Sequence, residues 1–96
     1  MVIADLDEIQ YDLEIGGEQV RRQIGRRVWE ERGWATVAIQ FVERAKDGSW
    51  KDPKIALLRF KREHEAWKKQ ATITLGLDDA RELATLIASW ATDAVA

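Results

Sequence analysis

The regular alternation of apolar and polar residues over residues 34–43 is the strongest constraint in this sequence. Successive side chains of an extended chain point to opposite faces, so the alternation predicts a β-strand with one buried face. Residues 54–62 alternate in the same way and place Arg59 and Lys61 opposite the apolar side chains. The side chains predicted to face the core are Val37, Ile39, Phe41, Ala56, Leu58 and Phe60.

Residues 67–75 predict a third strand, because apolar side chains recur at odd positions and polar ones at even positions. The apolar set is Trp67, Ala71, Ile73 and Leu75. On this parity we expect Trp67 on the same face as Ile73, in the core or at the sheet edge.

The C-terminal segment has the spacing of an amphipathic helix. Its apolar residues recur three and four positions apart, at Leu83, Leu86, Ile87 and Trp90. Gly76 is a permissive N-cap, and acidic residues at positions 78 and 79 suit the positive end of the helix dipole. We expect this helix to lie on the sheet, with Trp90 in the core.

The N-terminal third carries weaker signals. Residues 9–15 alternate loosely before the turn dipeptide Gly16-Gly17, which predicts a short strand and a hairpin. Residues 19–31 fit either a helix or a strand, and Gly25 favours the strand. The fold class predicted is α+β, with a curved antiparallel sheet of four to five strands followed by one C-terminal helix packed on one face. Residues 1–18 are interpreted as an acidic arm or strand, and residues 19–96 as one domain.

Composition bounds the functional class. A chain of 96 residues accommodates a single core, and no apolar run approaches the ~20 residues that span a bilayer. The acidic first eight residues do not resemble a signal peptide, so we expect a cytoplasmic protein. The absence of cysteine excludes disulfides and thiolate catalysis.

The charges are segregated along the chain although the net charge is only −2. Residues 1–18 contain six acidic and no basic residues, whereas residues 19–69 contain fourteen basic and seven acidic residues. Residues 70–96 are acidic again, with Arg81 against four acids. Such asymmetry points to a polyanionic partner, since a merely solvated surface usually mixes the two signs.

Catalytic motifs are missing from the sequence. The single histidine, His64, lies between two glutamates, and neither Ser49 nor Ser89 occupies a nucleophile motif. There is no glycine-rich phosphate loop. We therefore expect a protein that is not an enzyme, with no catalytic residues, no metal site and no cofactor.

A basic sheet face bordered by tryptophans is typical of proteins that bind single-stranded nucleic acid, because cations follow the phosphates and aromatic rings stack on unpaired bases. The alternative is that these residues have structural roles only. The lysines would then keep the exposed sheet face soluble, and the tryptophans would cover the core at the strand ends. The residues predicted to contact phosphates are Arg26, Lys51, Arg59, Lys61, Lys68 and Lys69. The candidates for stacking are Trp29, Trp34 and Trp50, and of these Trp34 and Trp50 are predicted to contact bases.

The segment from Trp67-Lys68-Lys69-Gln70 through the following strand to Asp78-Asp79-Ala-Arg-Glu-Leu resembles the end of the Whirly domain. Residues 34–90 are also similar to the transcriptional positive cofactor four family, in which one helix follows a curved antiparallel sheet. The resemblance implies binding of single-stranded DNA by the sheet of an oligomeric protein, and it carries Lys68, Lys69 and Gln70 over as binding residues. Our leading hypothesis is therefore a homodimer or larger homo-oligomer that binds single-stranded DNA, or less favourably RNA, and assists transcription or DNA maintenance.

A second hypothesis is an oligomeric adaptor with no nucleic-acid role, whose basic face and exposed tryptophans meet an acidic protein. In a variant of it, the acidic residues 1–18 lie on the basic sheet of the same or a neighbouring chain. Either arrangement would account for the charge segregation.

Overall fold

The computed structural model describes residues 1–95, with side chains through Thr92. It contains one curled antiparallel sheet of six strands, a half-barrel, and one C-terminal helix. The strands are β1 (Val2–Ile3), β2 (Leu13–Ile15), β3 (Glu18–Glu31), β4 (Trp34–Glu43), β5 (Lys54–Glu63) and β6 (Ala66–Gly76), and the helix is α1 (Leu77–Val95). Their order across the sheet is β1-β6-β5-β4-β3-β2.

Two-residue turns set the register of the central hairpins. Arg32 and Gly33 join β3 to β4 with φ values of 52° and 82°, which is the left-handed backbone of a type I′ turn. The predicted turn at Gly16-Gly17 is also present and joins β2 to β3. Residues 19–31 belong to a strand, as the favoured interpretation predicted.

One face of the sheet carries the core. The predicted inward-facing residues of β4 and β5 are all buried, and Ala35 joins them. We call this the covered face, defined by Ala35, Val37, Ile39, Phe41, Ala56, Leu58, Phe60 and Trp67.

The covered face is closed by residues 1–12, which we call the arm. The arm starts as β1 beside β6, crosses the face through a 3-10 helix (Leu6–Glu8), and joins β2 beside β3. Leu6 and Ile9 are only 7% and 4% exposed in this position. Asp5 and Glu8 form a capping box that fixes the single turn between them. The arm is thus an integral part of the core.

Charge contributes less to this docking than apolar packing does. The Arg26 guanidinium donates to the Leu6 carbonyl oxygen and lies 3.7 Å from the Asp7 carboxylate. Arg21 donates to the Tyr11 carbonyl oxygen and lies over the Tyr11 ring. The acidic side chains of the arm are otherwise exposed, so it does not neutralise the basic sheet as a whole.

Helix α1 is present as predicted, but its predicted packing on the sheet is wrong. Leu86, Ile87 and Trp90 are 43%, 52% and 62% exposed, so Trp90 is not a core residue. The reason is that the arm already covers the apolar face of the sheet.

No helix in residues 1–95 is long and apolar enough to cross a membrane. The sheet also has six strands rather than four to five, because β1 adds a short strand beside β6 that was not predicted.

The predicted parity of β6 is wrong as well. Phe60 pairs with Lys69 and Arg59 pairs with Ala71, so Gln70 forms a bulge that moves the rest of the strand by one residue. Trp67 is therefore buried against the core at 4% exposure, whereas Ile73 points to the opposite face and is 54% exposed.

Replacing Leu6 by alanine tests whether the arm is structural. We expect Leu6→Ala to lower the free energy of unfolding by about 2–5 kcal/mol, the range for a buried leucine. Ile15→Ala is the control, because this side chain is 64% exposed and should change stability by less than about 0.5 kcal/mol. Urea unfolding followed by tryptophan fluorescence measures both, and equal stability of the two variants would contradict a structural arm.

Candidate nucleic-acid interface

The face of the sheet opposite the arm has no second layer of secondary structure over it within residues 1–95. We call it the open face and define it from the strand register. Its side chains are Arg22, Arg27, Trp29, Glu31, Trp34, Thr36, Ala38, Gln40, Val42, Ile55, Leu57, Arg59, Lys61, Glu63, Ala66, Lys68, Ala71, Ile73 and Leu75; all are half-buried or exposed except Val42, which is buried.

Four predicted site residues meet on the open face, around Trp34. The Arg59 guanidinium lies 4.8 Å and the Lys61 ammonium 5.6 Å from the centre of the Trp34 ring. Lys61 pairs directly with Trp34 across the strands, and Lys68 pairs with Lys61. Arg59 also donates to the Thr36 hydroxyl at 2.7 Å, which fixes the direction of its side chain. Cations and an aromatic ring are thus side by side on one surface.

Strand β3 adds residues to this face that were not among the predicted site residues. Trp29 pairs with Thr36 and is 52% exposed, and Arg27 pairs with Ala38 and lies 5.5 Å from the Trp29 ring. The two-residue turn at Arg32 and Gly33 is the sequence feature that predicts which β3 residues lie on this face. The turn places Glu31 opposite Trp34, and this register sets the face of every β3 residue back to the bulge near Gly25.

Three of the other predicted phosphate contacts lie elsewhere. Arg26 is on the covered face, where its guanidinium is held by the arm. Lys69 pairs with Phe60 and is also on the covered face. Lys51 lies in the loop between β4 and β5, with its backbone N–H bonded to the Glu43 carbonyl oxygen at 2.8 Å. Gln70 occupies the bulge and donates to the Lys68 carbonyl oxygen at 3.2 Å.

Trp50 lies in the loop between β4 and β5, and two arginines lie beside its ring. Its ring lies 4.4 Å from the Arg44 guanidinium and 5.1 Å from that of Arg22, and the residue is half-buried. The loop before it is shaped by Asp47, whose carboxylate accepts from the Ser49 hydroxyl and backbone N–H. These hydrogen bonds lower the pKa of the Asp47 carboxyl.

The open face is mostly neutral or basic. Its basic side chains are Arg22, Arg27, Arg59, Lys61 and Lys68, and the acidic residues on this face of β3 to β6, from Arg22 onward, are Glu31 and Glu63 beside the turns. A shallow depression of ≈ 330 Å³ lies beside Gly25, which has no side chain, and Ala38, which has a small one. Gln40, Ile55 and Arg27 also line it. The face therefore presents cations, exposed rings and a shallow apolar floor.

Nothing in this arrangement resembles a metal centre. Within residues 1–95, no three histidine, aspartate or glutamate side chains come together as metal ligands. His64 lies in the turn between β5 and β6 with a φ of 58°.

Comparisons with models of known protein families, with curated proteins and with solved structures found no match.

The surroundings of the two rings predict different roles for Trp50 and Trp29 in stability. Trp50→Ala should lower the free energy of unfolding by about 1–2 kcal/mol, because it removes two cation–π contacts. Trp29→Ala should cost less than about 1 kcal/mol, since the ring is half exposed and meets one cation. Thermal and urea unfolding of the two variants compare these values, and a larger loss for Trp29→Ala would contradict the assigned environments.

Proposed function

We propose that the open face binds single-stranded nucleic acid, with DNA favoured over RNA, and that the protein acts as an oligomer. The observation that carries this proposal is the position of Trp34 between Arg59 and Lys61 on a face without a covering layer. The resemblance to the Whirly and transcriptional positive cofactor four families supports DNA as the ligand and an accessory role in transcription or DNA maintenance.

Electrostatics supplies the affinity in this proposal. Four cations lie along the open face from β3 to β6: Arg27 on β3, Arg59 and Lys61 on β5, and Lys68 on β6. Each phosphate that such a side chain neutralises releases condensed counterions. The exposed acids of the arm lie on the other side of the sheet, so they leave the path across the open face free of strong repulsion.

Stacking supplies the preference for single strands. Trp29 and Trp34 occupy diagonal positions of the β3–β4 pair, roughly 7–8 Å apart by ordinary sheet geometry. The Trp29 ring is exposed and the Trp34 residue is half-buried, and at that separation the two rings offer platforms for unpaired bases, which a duplex keeps in its own stack. We therefore assign base contacts to Trp34 and Trp29, and we give Trp50 a supporting role.

Of the three residues carried over from the resemblance, only one lies on the open face and is kept in the proposal. Lys68 lies on the open face beside Lys61, whereas Lys69 lies on the covered face and Gln70 occupies the bulge. Arg26 is held against the arm. The proposed contacts are therefore Arg27, Arg59, Lys61, Lys68, Trp29 and Trp34.

Salt dependence tests the electrostatic part. If all four cations contact phosphates of an oligothymidine, the slope of log affinity against log salt should be about −2.8, at roughly −0.7 for each contact. The double variant Arg59→Ala, Lys61→Ala should make the slope shallower by about 1.4. The matched control is Lys46→Ala, Arg81→Ala, which removes one lysine and one arginine from exposed positions away from the open face. Equal slopes for the two double variants would contradict the proposal.

Base stacking is tested at Trp34. Trp34→Ala should weaken oligothymidine binding by about 1–3 kcal/mol, or roughly 5- to 150-fold. Trp50→Ala is the comparison variant, since its ring belongs to the loop between β4 and β5 rather than to a strand of the open face, and its affinity should stay within about threefold of the wild-type value. Fluorescence anisotropy of a labelled oligothymidine gives both affinities. A larger loss of affinity in Trp50→Ala than in Trp34→Ala would contradict the assignment of base contacts to Trp34.

The adaptor hypothesis remains the second candidate, favoured by the exposed helix residues Leu86, Ile87 and Trp90. An apolar stripe of this kind is typical of a protein interface. The salt titration separates the two proposals, because an adaptor with no nucleic-acid role would show no oligothymidine binding at low salt.

A further inference from the structure

The two edges of the sheet differ in how well they are protected from another strand. At the β3 edge, β2 pairs with residues 18–21, and the Asp12 carboxylate accepts from the Gln23 backbone N–H. Beyond that point the edge has a bulge near Gly25 and two exposed arginines, Arg22 and Arg27. Bulges and charged side chains are the usual means of blocking edge pairing.

Beyond its bulge at Gln70, the β6 edge lacks these protections. Strand β1 pairs only with Trp67 and Lys68, and one further hydrogen bond joins the Lys69 N–H to the Met1 carbonyl oxygen. Among the residues that the structure describes, 70–76 have no strand beside them on that side. Their sequence, Gln-Ala-Thr-Ile-Thr-Leu-Gly, contains no charge and no proline and includes three β-branched residues. Such a segment has high β-propensity and is open to strand addition.

The surface area also indicates that the chain has a partner. The accessible surface is 7087 Å². A compact monomer of 11.0 kDa exposes about 5,600 Å², so the excess is roughly 1,500 Å². The radius of gyration of 15.7 Å likewise exceeds the roughly 12.5 Å expected for a compact domain of this length. A standard protein interface covers about 800 Å² on each partner, which this excess would accommodate.

We propose that two copies of the chain join by antiparallel pairing of their β6 strands over residues 70–76. A second copy fits this edge because a twofold axis at Ile73, the middle residue of the segment, lets identical segments pair, and the absence of charge removes like-charge repulsion between them. The ladder ends where the backbone leaves the sheet at Gly76 and Leu77. In this arrangement the two sheets become one.

This pairing has a consequence for the open face. Directly opposed residues of an antiparallel pair point to the same side of the sheet, so the two copies of Ile73 lie next to each other on the open side. The two open faces then form one continuous surface. The β6 pairing does not depend on nucleic-acid binding, although it would place two sets of basic residues along one strand of nucleic acid.

Cysteine scanning tests the pairing directly, because the chain has no cysteine of its own. The variants are Thr72→Cys, Ile73→Cys and Thr74→Cys, each alone, and a mixture of Thr72→Cys with Thr74→Cys, with diamide as the oxidant. One single variant or one mixture should form a disulfide dimer roughly tenfold faster or more than Ile15→Cys, an exposed control at the opposite edge. Equally slow crosslinking at all positions would overturn the proposal.

Edge charge gives an independent readout. Thr72→Lys, Thr74→Lys places two lysines on exposed positions of β6, and Leu13→Lys, Ile15→Lys is the matched control on β2. Light scattering should find a dimer for the wild type and for the control, and at least a tenfold weaker dimer for the β6 variant. A wild-type protein that is monomeric at 100 µM would overturn the proposed pairing. So would a wild-type dimer that persists in the β6 lysine variant but dissociates in Leu86→Glu, because that dimer would form through helix α1. Oligothymidine binding by the same proteins separates failure of the pairing from failure of the proposed function.

Discussion

The packing of Leu6 and Ile9 against the sheet is the contact on which the rest of this structure depends. A single sheet of this size has two faces, and one of them carries an apolar layer from Ala35 to Phe60 that must be removed from water. The arm, rather than the C-terminal helix, covers that layer. Because β1 and β2 fasten the arm to opposite edges, the cover is built into the sheet itself.

This arrangement leaves two surfaces free for other molecules. The open face retains cations around Trp34 and Trp29, and helix α1 leaves the sheet with its apolar stripe exposed. A helix that covered the sheet would have buried that stripe. The arm places its exposed acidic residues on the side of the sheet away from Arg59 and Lys61. The basic residues of the strands, by contrast, divide between the two faces, with Arg26 and Lys69 on the covered one.

The sequence was most informative where local pattern decides the structure. Strand β4 has its predicted bounds, and the alternation of Arg59 and Phe60 assigned both to the correct faces. It could not reveal the bulge at Gln70, because a bulge depends on the strand that pairs with it. The helix spacing showed that Leu86 and Trp90 need a partner without showing which surface supplies it. An acidic arm was expected within residues 1–18, but its role as the cover of the core was not predicted. Leu6 and Ile9 lie among acids and so give no apolar pattern, although Asp5 and Glu8 have capping-box spacing.

The central claim is that the open face, and not the covered face, meets the nucleic acid. The most direct test is a titration of the isotope-labelled protein with oligothymidine, followed by backbone and indole N–H resonances. We expect the largest shifts at Trp34, Thr36, Arg59, Lys61 and Lys68, and at the Trp29 indole, while Leu6, Ile9 and Val37 stay unchanged. Shifts concentrated on the arm and around Arg26, or no shifts at low salt, would contradict the claim.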